Sequence, residues 1–170
     1  MPGTITPAQM FDRELDAKKG WPSPYAVDKR VERDTGVTGV APGMCLRLDG
    51  TTGKAHRGSN NGDMGLFAWQ GENDFDVNGD VGNIVTGTIN TLVAAGAYEL
   101  ETTEFTGSGF VPNARLGVEN TGGANQGKLK VVTLNGADNV VGVCSEIGPA
   151  ANSYGKSVIR FWPVYLPSRA

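Results

Sequence analysis

Three sets of residues in this 170-residue chain have the types and spacing that chemistry requires. The first is Asp74-Phe75-Asp76-Val77-Asn78-Gly79-Asp80. It matches the opening half of a calcium loop, in which alternate oxygens converge on the ion and glycine permits the sharp bend. The full motif has a bidentate glutamate at its twelfth position, which here is Val85, and the flanks carry strand rather than helix signals. The stretch reads as a polar turn between strands, and no metal is expected.

The second set depends on His56, the one imidazole present. Any Ser-His-Asp or Cys-His scheme must pass through Lys54-Ala55-His56-Arg57-Gly58, where nothing has the form of a nucleophile elbow or an oxyanion hole. His56 reads as a solvated loop residue between two strands. The third set, Glu99, Glu101 and Glu104, suggests the paired carboxylates of glycoside hydrolysis. Glu99 and Glu101 alternate with Tyr98, Leu100 and Thr102, which puts them on the wet face of a strand, where glutamate needs no catalytic explanation. No glycine cluster has the GxxxxGK[ST] or GxGxxG form, and one histidine without a CxxC pair excludes a structural zinc site. No catalytic residue and no cofactor are expected, and the chain does not read as an enzyme.

The elements that must carry these residues are short strands separated by glycine turns. Met44, Leu46 and Leu48 alternate with Cys45, Arg47 and Asp49, a period of two that marks one buried and one wet face. Tyr98 to Thr103 repeats the pattern, and further strands are predicted over Gly65 to Trp69, Asn83 to Leu92, Lys128 to Leu134, Asn139 to Ser145 and Ser157 to Trp162. Asp49-Gly50 ends one strand and Asn135-Gly136 joins two others, because Asn and Asp tolerate positive φ and Gly has no Cβ to clash. The fold class is mainly β, an antiparallel β-sandwich or small β-barrel. An approximate echo links Leu46 to Ala68 with Leu116 to Cys144, around Thr52-Gly53-Lys54 and Gln126-Gly127-Lys128, and reads as two similar β units in one domain.

Ahead of this domain, assigned to residues 42–170, residues 1–41 read as an extended N-terminal arm. Between Asp12 and Asp34 lie 12 of the 33 charged residues, six acidic and six basic, broken by Pro22 and Pro24, whereas 23 of the 25 glycines follow from Gly36 onward. Such a segment buries too little apolar surface to pack on itself and is expected either to stay mobile or to lie along a partner. A short helix is predicted from a Thr6 cap through Pro7 to Lys19, ended by Gly20. At about 13 residues it is marginal alone and needs a docking surface for Met10, Phe11 and Leu15. Trp21 and Tyr25 are expected to be interface aromatics. Phe161 and Trp162 are placed in the domain's own core, and Pro163 and Pro167 are expected to block further sheet pairing.

A formal charge of -3 argues against nucleic acid as a partner. No stretch approaches the roughly 20 apolar residues that span a bilayer, so no membrane is expected. The N-terminus lacks the regions of a signal peptide, and Cys45 and Cys144, each in an apolar run, fit two buried thiols in a reducing cytoplasm better than a disulfide.

The β region resembles the capsid decoration, or cement, proteins of tailed bacteriophages. The resemblance lies in Ala97-Tyr98-Glu99-Leu100-Glu101-Thr102-Thr103-Glu104-Phe105, Phe110-Val111-Pro112-Asn113-Ala114-Arg115-Leu116, Gly127-Lys128-Leu129-Lys130, Val140-Val141-Gly142-Val143 and Ile159-Arg160-Phe161-Trp162-Pro163. It implies a non-enzymatic virion protein, assembled in the host cytoplasm, that binds the exterior of an icosahedral capsid and reinforces it. Its partners would be the major capsid protein and its own copies, as a trimer in preference to a dimer, with Met10, Phe11, Leu15, Trp21 and Tyr25 as contact residues on the arm. Two other readings fit the same sheets: a tail-tube component, or a calcium- or carbohydrate-binding β module using Asp74 to Asp80.

Overall fold

The computed structural model describes residues 15–19, 27–32, 34, 39–59, 66–68, 88–93, 99–133 and 138–166, with backbone alone at 15–19, 27–31, 88–93, 165 and 166. Within them run β1 (Leu15–Lys19), β2 (Val27–Glu32), β3 (Cys45–Leu48), β4 (Ala55–Arg57), β5 (Leu66–Ala68), β6 (Thr88–Val93), β7 (Glu99–Thr102), β8 (Arg115–Val118), β9 (Leu129–Val132), β10 (Val140–Cys144), β11 (Ala150–Ala151) and β12 (Ser157–Leu166). The one helical element among the described residues is a 3-10 turn at Gly123–Asn125. The protein is mainly β, with two antiparallel sheets.

The sheets have the same plan. One runs β2-β6-β5-β3-β4; the other contains β7-β12-β10-β8-β9, with β1 added beyond β7 and β11 paired beside β12. In chain order, each five-strand unit therefore pairs its first strand with its last, its last with its fourth, its fourth with its second and its second with its third. The registers match residue by residue. Cys45 faces Phe67 and Leu46 faces Arg57 in the first unit; Arg115 faces Val143 and Leu116 faces Val131 in the second. Phe67 faces Leu92 as Val143 faces Trp162.

The turns repeat as well. Pro42-Gly43 and Pro112-Asn113 both use a positive φ, 87° and 68° respectively, and close with Met44 N–H donating to Ala41 O (3.1 Å) and Ala114 N–H to Val111 O (2.8 Å). Asp49 and Glu119 each accept from the backbone N–H two residues later and from a glycine four and eight residues on, Gly53 and Gly127. The echo around Gly53-Lys54 and Gly127-Lys128 thus belongs to a duplication of a whole five-stranded unit.

Each unit also closes on itself. Beyond β2, Asp34 N–H donates to Ala55 O at the start of β4 (3.2 Å), and Glu32 and Asp34 pair with Lys54 (2.9 Å) and His56 (3.7 Å). Beyond β7, Thr106 N–H donates to Leu129 O (2.8 Å) and Leu129 N–H to Glu104 O (2.9 Å) at the start of β9. The continuation of the first strand thus covers the edge of the third, which blunts an exposed edge and rolls the sheet. Val40, Leu46, Ala55, Leu66 and Ala68 fill the first roll; Leu100, Phe110, Leu116, Val118, Leu129, Val141, Cys144, Ile159 and Phe161 fill the second. Cys45 and Phe67, on the other face of the first sheet, join this second cluster, with the Phe67 and Phe161 rings 5.5 Å apart.

Four expectations are corrected. Residues 15–19 are not helical: they form β1 along β7, with Asp16 opposite Glu101 and Lys19 opposite Glu99. A ladder beside an existing strand outweighs a marginal isolated helix. With β2, this gives the segment read as an arm over 1–41 two strands in the sheets. Asn135-Gly136 does not join paired strands, because β8 lies between β9 and β10. Pro163 does not end pairing: β12 continues to Leu166 opposite Val140, with a register shift between Val140 and Gly142. An extra residue there accommodates the missing proline N–H.

Gly117 on β8, which lies between β9 and β10 in the sheet, is tightly covered. A Cβ built there would lie 2.6 Å from Val132 Cγ1 and 3.1 Å from the Asn139 carbonyl oxygen. Gly117→Ala is expected to cost about 1–3 kcal/mol of unfolding free energy. Gly50→Ala, with nothing within 4 Å, should stay within about 0.5 kcal/mol. Paired urea titrations check both.

Candidate functional site

The described titratable residues converge most closely on the outer face of the second sheet, where β7 and β12 run side by side. Leu100 and Phe161 point into the core, so Glu101 and Arg160, opposite each other in register, share the other face. Arg160 Nε donates to Glu101 Oε2 (2.8 Å), and Arg160 Nη1 donates to Glu146 Oε2 (2.6 Å). Asn152 Nδ2 donates to Glu101 Oε1 (3.1 Å), while its Oδ1 accepts from the Tyr154 and Lys156 N–H groups. One asparagine therefore shapes the β11–β12 turn and fastens it to the sheet. Glu101, and after it Glu146, holds the Arg160 guanidinium above its ordinary pKa.

Glu99 and Glu101 are buried, which corrects their wet-face placement, and Glu104 is buried as well. The alternation itself holds, since Leu100 is in the core, but the opposite face is covered here, partly by the turn that Asn152 carries. Glu101 has an arginine and an amide on its two oxygens, which suits a latch between strand and turn. His56 lies on β4 and not in a loop, with Nε2 3.7 Å from Asp34 Oδ2 across the seam that closes the first unit.

A second polar constellation joins the two units. Asn120 donates to Ser59 O and accepts from Ser59 N–H, both at 2.9 Å, so its amide copies a backbone ladder. Gln126 Nε2 donates to Arg57 O (3.0 Å), Arg57 Nη2 to Gly123 O (3.2 Å), and Cys45 N–H to Gly127 O (2.7 Å). A side chain at Gly58, whose φ is +114°, would meet Asn120 Oδ1 at 2.6 Å, so only glycine permits the approach. Asn120, Asn152 and Arg115 were not singled out from sequence. For Asn152 the signal was there, since Asn-Ser-Tyr-Gly is a turn signature.

Surface contact is the other chemistry on offer. Phe161 is buried as expected, but Trp162 is 41 % exposed, one residue later in an alternating strand. Val111, Ile147 and Tyr154 are also exposed. Val111 and Ile147 belong to neighbouring loops, which Gly148 N–H joins by donating to Phe110 O (2.9 Å). Cys45 and Cys144 are free, buried thiols in one core cluster, and burial pushes the Cys144 thiol up to about 11. Leu15 opens β1 opposite Thr102. Met10, Phe11, Trp21 and Tyr25, and the Asp74 to Asp80 stretch with Val85, lie outside the described residues. Among the described residues no group of three or more His, Cys, Asp or Glu side chains could hold a metal ion.

Compared with protein-family models, with curated proteins and with solved structures, the chain matches none.

Two outcomes test this geometry. Arg160→Met strands the buried Glu101 carboxylate and should cost about 3 kcal/mol. Glu146→Gln, at the half-exposed end of the same arginine, should cost less than about 1 kcal/mol; chemical denaturation separates the two. The raised Cys144 pKa adds stability that is complete below the unfolded value of 9.0 and lost as pH rises towards about 11. Melting temperature should therefore fall across that window, and Cys144→Ala should flatten this part of the profile.

Proposed function

We propose that this chain is a non-enzymatic virion structural protein of a tailed bacteriophage that binds the exterior of the capsid in many copies and stabilises it. The observation that supports the reading is the placement of large apolar side chains. Two rolled sheets with filled interiors leave Trp162 on a sheet face and Val111, Ile147 and Tyr154 on loops. Exposed apolar groups on a rigid β body suit contact with another protein. The major capsid protein is the proposed partner, with self-association into a trimer ahead of a dimer. Met10 and Phe11 are the proposed anchors ahead of β1, with Trp21 and Tyr25 between β1 and β2.

The test is co-sedimentation of the purified chain with capsids of the source phage that lack it. Residues 15–32 must stay in any truncation, because they include β1 and β2. The full-length chain should pellet with the capsids, and a form lacking residues 1–14 should need at least about tenfold more protein for the same occupancy, since many weak sites on one shell amplify each loss. A full-length chain that stays in the supernatant at every concentration would overturn the reading.

A further inference from the structure

The duplication gives each surface of one unit a counterpart on the other, and one pair of counterparts is treated unequally. Across four strands of the first unit the outer row is Gly58, Cys45, Phe67 and the Leu92 register position; in the second it is Val132, Arg115, Val143 and Trp162. Gly58, Cys45 and Phe67 of the first row are buried against the second unit: Gly58 lies under Asn120, Cys45 N–H donates to Gly127 O, and Phe67 meets Phe161. Among the described residues the second row has no such cover. Trp162 is largely exposed, and Val132, Arg115 and Val143 are half-buried.

Arg115 is also a cation without a carboxylate among the described residues. The neighbouring cations on the same sheet have theirs: Lys130 lies 3.6 Å from Asp138 and 3.9 Å from Glu119, and Arg160 bridges Glu101 and Glu146. Tryptophan and arginine together are the pair most enriched where proteins meet.

The surface that receives Gly58 and Cys45 is the loop 119–127. Its counterpart in the first unit is the turn 49–53, built by the same hydrogen bonds, with residues 50–53 all exposed. This turn carries the Asp49 carboxylate, held below its ordinary 3.8 by the Thr52 N–H first, then by the Thr52 hydroxyl and the Thr51 N–H. The turn thus carries Asp49 where loop 119–127 carries Glu119, and the second row places a cation where the intramolecular junction has Cys45.

We propose that the Arg115–Val143–Trp162 row of one copy docks on the 49–53 turn of a second copy, repeating between chains the junction already made within the chain. The interface is heterologous: every chain carries both halves, so copies join head to tail into a ring where the rotation closes. This goes beyond the capsid role by naming the face through which copies meet, and rests on that reading only for self-association.

The test uses the purified full-length chain without capsids, with Trp162→Lys to disable the row and Gly50→Lys to disable the turn. Nothing lies within 4 Å of a Cβ at Gly50 and Trp162 is exposed, so both variants should keep the wild-type circular dichroism and melting temperature. In analytical ultracentrifugation the wild type should run as a multiple of 17.8 kDa. Each variant alone should run as a monomer. Their mixture should give a one-to-one pair and nothing larger, because one intact row meets one intact turn. A monomeric wild type, variants that keep the wild-type size, or a mixture that stays monomeric would each overturn the proposal. All of these outcomes leave the capsid reading to its own sedimentation test.

Discussion

An open five-stranded sheet presents two rows of unpaired backbone groups, and the rest of this molecule follows from how each half of the chain disposes of them. In both units the residues just beyond the first strand hydrogen-bond the first residue of the third strand, Asp34 to Ala55 and Thr106 to Leu129. Closure allows strands as short as three residues to be stable, since they gain partners on both sides and share an interior. It also fixes which side chains fill that interior: Leu46, Ala55 and Leu66 in one unit, Leu116, Leu129 and Val141 in the other. With edges and interiors settled, the outer faces become the surfaces through which the units meet each other and their surroundings.

Much of this was legible in the sequence because it rests on local rules. The strands around Cys45 and Leu100 announce themselves by alternation, those around Leu129, Val140 and Phe161 as short apolar runs between turn residues, and the turn at Asp49-Gly50 by its chemistry. The echo of Gly53-Lys54 in Gly127-Lys128 pointed to the duplication, although its full extent was hidden because the register offset drifts between strands. What failed depends on distant partners. Leu15 to Lys19 has helix signals but lies beside β7, and no local rule reports a strand some 80 residues away. Glu99 and Glu101 were given the correct face and the wrong solvent, since alternation assigns sides without saying what covers them. Pro163 misled because a bulge can absorb a missing donor.

The two halves have diverged where they touch. Position for position, the first unit has Gly58 and Cys45 where the second has Val132 and Arg115. The first pair is small and uncharged and can lie under Asn120 and Gly127; an unpaired guanidinium in that place would be buried at heavy cost. Arg115 thereby bars the second unit from the inward role and makes the arrangement of the duplicated halves one-way, with the Asn120 amide on Ser59 fixing the register between them.

The junction between the units also has a timetable. Phe67 finds its ring partner only at Phe161, close to the end of the chain, although its own strand is complete much earlier. At synthesis rates of about 5–20 residues per second the stretch between them takes on the order of 5–20 s to emerge. For that interval the first unit, already able to close through Asp34 and Ala55, holds Phe67 and the Cys45 thiol outward without the second-unit residues that pack on them. During synthesis the nascent chain is therefore its own most adhesive form, and crowded ribosomes on one message set the risk of clumping. The last strand, β12, works as a stopper that retires this surface once translation is nearly done.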